Sequence, residues 1–211
     1  MATTITKGSA LLALARMMGK RKLPQGDNAD WESYVQAAFD YAWRYYKWGW
    51  SLRSAEIDLA TSPYLPDDFD LDGYREAVPN GNGQVSEMTL VEWYTSGMYS
   101  NTYAIEWDNT VNKYKIHAGS GLSSLTVIYQ VAPPTLGDTA VNFPSDMTIG
   151  IGASIYAKQG ENPLKADVQQ EWDEFHAELR RHVAHSENNK PRRQSVNLQD
   201  YYGTYTGDTR R

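Results

Sequence analysis

The apolar positions of the chain follow two different periods, and the switch between them divides it. From Asp30 to Trp50 the period is helical: Trp31, Val35, Ala38/Phe39, Ala42 and Tyr45/Tyr46 recur at steps of three and four. Tyr34, Tyr41 and Trp48 form a second stripe at steps of seven. A helix apolar on more than one side needs cover on more than one side, so this segment is expected at the centre of a bundle or as one side of an assembly. Asp30 stands where an N-cap belongs, and Gly49 with the change of pattern after Trp50 is expected to end the helix. A shorter helix is predicted over residues 4–17, with Leu11, Leu12, Ala15 and Met18 on one face. Residues 19–29 hold Gly, Pro and a basic cluster and read as a loop.

From Ser51 the period becomes two. Leu52, Ala55, Ile57 and Leu59 are set against Arg53, Glu56 and Asp58, which predicts a strand. Pro63 and Pro66 predict an extended or edge connection. Asp72-Gly73 marks a turn, Tyr74 to Val78 a short strand, and residues 79–83 (PNGNG) a tight turn. Residues 85–98 predict a short helix with Ser86 or Thr89 as cap and Leu90, Trp93 and Tyr94 on its apolar side. Three strands follow at Tyr103–Trp107, Lys113–His117 and Ser124–Val131, separated by turns at Asp108-Asn109 and residues 119–121.

Beyond Pro133-Pro134 the helical period returns. Ser145 or Asp146 caps a helix running to about Lys158, with Ile149, Gly152/Ala153 and Tyr156 on one side. Gly150 and Gly152 weaken it intrinsically, so it requires tertiary support or close packing. A last helix is predicted from Pro163 to His185, with Leu164, Val168, Trp172, Phe175, Leu179 and Val183 on one stripe. Its acids (Asp167, Glu171, Asp173, Glu174) come early and its bases (Arg180, Arg181, His182, His185) late, as the helix macrodipole favours. The final residues are polar and net basic, through Lys190, Arg192, Arg193, Arg210 and Arg211 against Asp200 and Asp208. Leu198, Tyr201, Tyr202 and Tyr205 are unusual in a spacer and suggest an arm that orders on docking. The fold class expected is therefore α+β. Residues 1–50 and 144–187 form a helix bundle, residues 51–133 an antiparallel β-sheet insertion with a short helix, and residues 188–211 an extended or disordered C-terminal arm.

Composition narrows the function classes. The 211 residues are 41% hydrophobic and 22% charged, ordinary for a globular protein, and no apolar run approaches the roughly 20 residues of a membrane helix. No signal-peptide core precedes Arg16. The absence of cysteine excludes disulfides, zinc–thiolate sites and iron–sulfur clusters. A formal net charge of −6 argues against a chain devoted to gripping nucleic acid, although a local basic patch is compatible with it.

Candidate chemistry is sparse. Glu178, His182 and His185 have a spacing that can seat a metal, but a solvated basic helix end explains them as well. Asp68, Asp70, Asp72 and Gly73 imitate the start of a calcium loop, yet the twelfth position is Pro79 where such a loop needs Glu; turn formation and edge protection explain the acids. His117 and His176 are single. Glu92, Glu106 and Asp108 are candidates for a carbohydrate-binding or hydrolytic site by residue type alone, since no pair at the required separation is fixed. No nucleotide or hydrolase signature is present, so the residues name no catalytic group, metal or cofactor. The basic, tyrosine-bearing tail is compatible with nucleic-acid stacking or with an unstructured end.

The order of parts has a family likeness. An aromatic helix runs into a strand and then into Tyr64-Leu65-Pro66-Asp67-Asp68-Phe69. A β insertion ends in Leu125 to Leu136 with Tyr129, Pro133 and Pro134, and Pro163 to His185 closes the helical part. This layout, over most of the chain, resembles the head–tail adaptor (connector) proteins of tailed bacteriophages, especially short-tailed ones. Segment 5–18 has no firm counterpart.

The resemblance implies a structural, non-enzymatic virion protein of the neck, assembled in the host cytoplasm. Its subunits would form a ring, usually twelve-fold, on the portal protein, extending the DNA channel and offering a platform to tail or nozzle proteins. Genomic DNA would pass without specific binding. The arm, residues 188–211, would embrace the portal through Arg192, Arg193, Leu198, Tyr201, Tyr202, Tyr205, Arg210 and Arg211. Trp31, Trp43, Trp48 and Trp93 become candidates for the subunit interface, because aromatic residues are favoured in interface cores. Another neck component such as a stopper shares the layout.

Overall fold

Thr6, not residue 4, opens the first helix. Its backbone is extended (φ −123°, ψ 164°), its Oγ1 accepts from Ser9 N–H at 3.2 Å, and Ser9 Oγ accepts from Thr6 N–H at 3.1 Å. This reciprocal cap satisfies two amides that the first turn leaves unpaired. The computed structural model describes residues 4–22, 29–80, 84–96, 100–161 and 168–188. α1 spans Lys7–Met17, and the two residues ahead of the cap form β1, Thr4–Ile5, paired antiparallel with β8, Val141–Asn142. The buried face of α1 holds Ala10, Leu11, Ala13, Leu14 and Ala15, while Leu12 is only half-buried, so the stripe is rotated from the expected one.

α2 spans Ala29–Arg44 and stops six residues before Trp50. Asp30 therefore lies in its first turn, where its charge suits the dipole, instead of ahead of it. The early stop follows from Trp48. That indole is fully buried, and its Nε1 donates to the Ala42 carbonyl at 3.1 Å, so the chain folds back over its own helix end. The Trp48 ring meets Phe143 edge-on at 5.8 Å and stacks on Trp50 at 5.0 Å.

Between α2 and α4 (Asp146–Glu161) lies the β insertion. β2 (Leu52–Asp58), β7 (Ser124–Gln130) and β3 (Arg75–Pro79) form one antiparallel sheet in the order β2-β7-β3. β4 (Ser86–Glu87), β5 (Thr102–Asp108) and β6 (Lys113–Ala118) form a second in the order β4-β5-β6. The two-residue β4 pairs parallel to β5, a departure from the all-antiparallel expectation. α3, Leu90–Ser96, precedes β5. Alternation does what it should in β7: Leu125, Val127 and Tyr129 are buried, with Ile57, Leu65, Phe69, Tyr103 and Ile116, in the insertion's own core. The proline-bounded stretch edges the second sheet, through Ile116 N–H to the Pro63 carbonyl (2.7 Å) and Leu65 N–H to Tyr114 (2.8 Å).

α4 (Asp146–Glu161) and α5 (Gln169–Asn188) complete the bundle; Pro163, Leu164 and Asp167 lie outside the described residues. α4, rather than the aromatic α2, makes the most extensive contacts in the bundle, against α1, α2 and α5, while α2 meets α1 more lightly and α5 through Tyr41 and Tyr45. Its glycines explain why. A Cβ on Gly150 would lie 2.8 Å from the backbone carbon of Ala13, and one on Gly152 would lie 2.7 Å from the Phe175 ring. Lacking side chains there, the helices approach closely, which supplies the tertiary support that glycine's entropy demands. The fold is α+β, with one core in the bundle and another in the insertion.

Candidate functional site

The seam between bundle and insertion is where polar groups converge. Gln130 ends β7, is fully buried, and sends Nε2 to the Trp43 carbonyl (2.5 Å), Ser51 Oγ (3.1 Å) and the Tyr46 carbonyl (3.2 Å). Beside it Arg44, the last residue of α2, grips buried Asp70 with Nε to Oδ2 at 2.6 Å and Nη2 to Oδ1 at 3.2 Å. Trp43 donates from Nε1 to the Val131 carbonyl at 2.7 Å. Gln36 holds the Pro133-Pro134 loop against α2, accepting from Leu136 N–H at 2.8 Å and donating to the Pro134 carbonyl at 3.2 Å.

Along α2 from this seam runs an open groove of about 400 Å³ lined by Ala37, Asp40, Tyr41, Arg44, Tyr45 and Tyr156. Burial pushes the Asp40 carboxyl above its ordinary value, against the pull of the Gln36 hydrogen bond and the Arg44 charge. Tyr41 Oη lies 2.7 Å from His176 Nε2, and the imidazole stacks on Tyr45 at 5.7 Å. Among the described residues that line the groove, Asp40 is the one acid.

Each carboxylate singled out in the sequence is held by partners of its own. Glu92 closes a cap on α3, accepting from Thr89 N–H (3.0 Å) and Thr89 Oγ1 (2.9 Å). Glu106 takes the Tyr94 hydroxyl at 2.9 Å and His117 Nε2 at 2.6 Å. Asp108 caps its own hairpin through Thr110 N–H (2.8 Å) and accepts from Tyr64 (3.1 Å). These hydrogen bonds hold all three below the usual carboxylate range, the reverse of what a general acid requires.

The metal-like spacings come apart in the same way. Asp68 accepts from Tyr129 Oη at 2.8 Å while Asp70 is committed to Arg44, and His182 Nε2 sits 2.9 Å from Thr148 Oγ1 while Glu178 pairs with Arg181 at 2.7 Å. Among the described residues no group of three or more His, Asp or Glu is placed to hold a metal ion.

The tryptophans proposed for a subunit interface divide. Trp43, Trp48 and Trp93 are buried by their own chain, which leaves almost none of their area for a neighbour; this corrects the expectation. Trp31 is half-buried beneath Lys20, whose Nζ is 4.8 Å from its ring centre. What the sequence did not single out for an interface is the outer side of α3, with Val91 72% and Tyr94 64% exposed, and Trp107 and Val111 at the β5–β6 hairpin. Alternation in β5 gave no such signal, because Trp107 shares the phase of Tyr103 and Ile105, which pack in the insertion's core. Arg192, Arg193, Leu198, Tyr201, Tyr202, Tyr205, Arg210 and Arg211 lie outside the described residues. In α1 to α5, no helix among the described residues is long and apolar enough to cross a membrane. Compared by sequence with known proteins, the chain matches no family model and no curated protein.

Proposed function

We propose that the chain is a structural virion protein, a head–tail adaptor that assembles as a ring on a portal and serves as the platform for tail attachment. The observation that carries this reading is the architecture: a helix bundle interrupted between α2 and α4 by a two-sheet insertion, with residues 189–211 following the last helix. That is the layout the adaptor resemblance implies. Two further features support it. The candidate carboxylates are committed to a cap, a strut and a hairpin, which suits a non-enzymatic part. The exposed apolar residues on α3 and the β5–β6 hairpin suit a subunit that meets neighbours.

The test measures mass in solution, first of the protein alone and then mixed with portal rings. A stoichiometric ring of the chain on the portal is expected. Deletion of residues 188–211 is expected to preserve the fold and abolish attachment. Indifference of the intact chain to portals would sink the adaptor reading, and normal attachment by the truncated chain would sink the role given to the arm.

A further inference from the structure

The first twenty-two residues contain five cations and no carboxylate, in a chain whose net charge is −6. Lys7 is paired with Glu32 at 3.2 Å. The other four, Arg16, Lys20, Arg21 and Lys22, gather at the end of α1, and all four are exposed. The helix closes there in a tight reversal: Gly19 N–H donates to the Arg16 carbonyl (3.0 Å) and Lys20 N–H to the Ala15 carbonyl (2.8 Å). Gly19 sits at φ +71°, where a side chain is strained. The reversal sets three consecutive cations just past the negative end of the helix, and the contact with Trp31 orients the Lys20 ammonium. Among the described residues, no carboxylate pairs with any of these four.

The helix dipole accounts for a cation at this place but not for four, since the effect fades within the last turn and adjacent like charges repel. We propose that this basic end of α1 is a contact site for the phosphate backbone of nucleic acid. A protein partner fits the composition less well, because lysine is depleted from protein–protein interfaces whereas nucleic-acid interfaces are strongly positive. Contact with phosphate positions a duplex without reading its sequence. The proposal adds a site to the adaptor reading and does not depend on it, because it is measured on the isolated full chain.

The probe is a short fluorescein-labelled DNA duplex of mixed sequence, titrated by anisotropy at several salt concentrations. Four neutralised phosphates predict a slope of log K on log salt of roughly −3 to −4, or about 100-fold weaker binding from 50 to 200 mM salt. Lys20→Ala, Arg21→Ala and Lys22→Ala together are expected to reduce the slope to about −1, weakening binding at low salt by about 10-fold or more, with an unchanged melting temperature. Lys22→Glu alone, the position farthest from the helix, moves binding the same way should the triple variant fold poorly. No binding at low salt overturns the proposal, as does equal binding by the triple variant. Binding lost only on deletion of residues 189–211 overturns it by placing the contact on the arm. A polyglutamate peptide that competes as well as DNA, charge for charge, overturns it in favour of an acidic protein surface.

Discussion

Gln130 Nε2 and the Trp43 carbonyl, 2.5 Å apart and both inside the protein, join the end of β7 to the end of α2. The same amide serves Ser51 and Tyr46, and its Oε1 accepts from Tyr74 N–H at 3.2 Å. Replacing it strands several buried groups at once, and an unmatched buried donor or acceptor costs about 1–3 kcal/mol. Gln130→Leu is therefore expected to lower stability by roughly 2–4 kcal/mol in urea unfolding. Gln130→Glu should do no better, because a carboxylate has no hydrogen to donate. A loss below about 0.5 kcal/mol in both variants would show that the seam is held elsewhere.

The close approach of α4 to α1 makes a second prediction. Gly150→Ala puts a methyl 2.8 Å from backbone that cannot yield, and overpacking of this kind costs about 1–3 kcal/mol despite alanine's better helix propensity. Gly137→Ala meets nothing within 4 Å and is expected to be close to neutral. Thermal melts of the two variants side by side check the contrast; a stabilised Gly150→Ala would contradict the packing.

These two sites show how far the sequence reaches. The alternation of β7 and the stripe of Phe175 and Leu179 were legible because burial on one face of a regular element writes a period into the chain. The end of α2 was not legible. Trp48 continues the aromatic stripe by spacing, and only a tertiary contact with Phe143 and the Ala42 carbonyl turns it out of the helix. The extent of α4's contacts was equally hidden: hydrophobic period favours bulky residues, while Gly150 and Gly152 matter for what they lack. The carboxylates were legible as residue types, but their partners Tyr94, His117 and Tyr64 come from other elements or distant positions.

His182 gives a pH prediction. Burial, its largest influence, holds the imidazole below the ordinary 6.5, and Arg181 and His185 act in the same sense against Glu178. The unfolded chain then takes up a proton that the folded one resists. Stability is complete above about 6.5 and declines as pH falls through that value toward the lower folded value. Asp40, pushed upward by burial, works in the opposite direction at more acid pH. Melting temperature is expected to fall between about pH 7 and pH 5.5, and His182→Gln to flatten that fall while its amide still reaches Thr148. An unaltered profile in His182→Gln would assign the decline to other groups.

α3 is held from its cap and from its exposed side. Thr89 and Glu92 exchange hydrogen bonds at its start, and Tyr94 anchors it to Glu106 on β5. Losing an N-cap costs about 1 kcal/mol, which in a helix of this length is spent locally. Thr89→Ala is expected to speed hydrogen exchange at the amides of Leu90–Ser96 while leaving the bundle's exchange unaltered. Uniform acceleration throughout the protein would mean that α3 and the bundle open as one unit.

The insertion between α2 and α4 also sets a timetable at the ribosome. About a hundred residues separate Arg44 from Asp146, and translation at roughly 5–20 residues per second makes that an interval on the order of ten seconds. Throughout it, Leu14, Phe39 and Ala42 have emerged without the helix that covers them, and β1 has no β8 to pair with. The nascent bundle must wait, incomplete, for a segment made after the insertion. Any agent that prolongs this wait, such as a stall within the β-rich codons, exposes the apolar faces of α1 and α2 to other nascent copies.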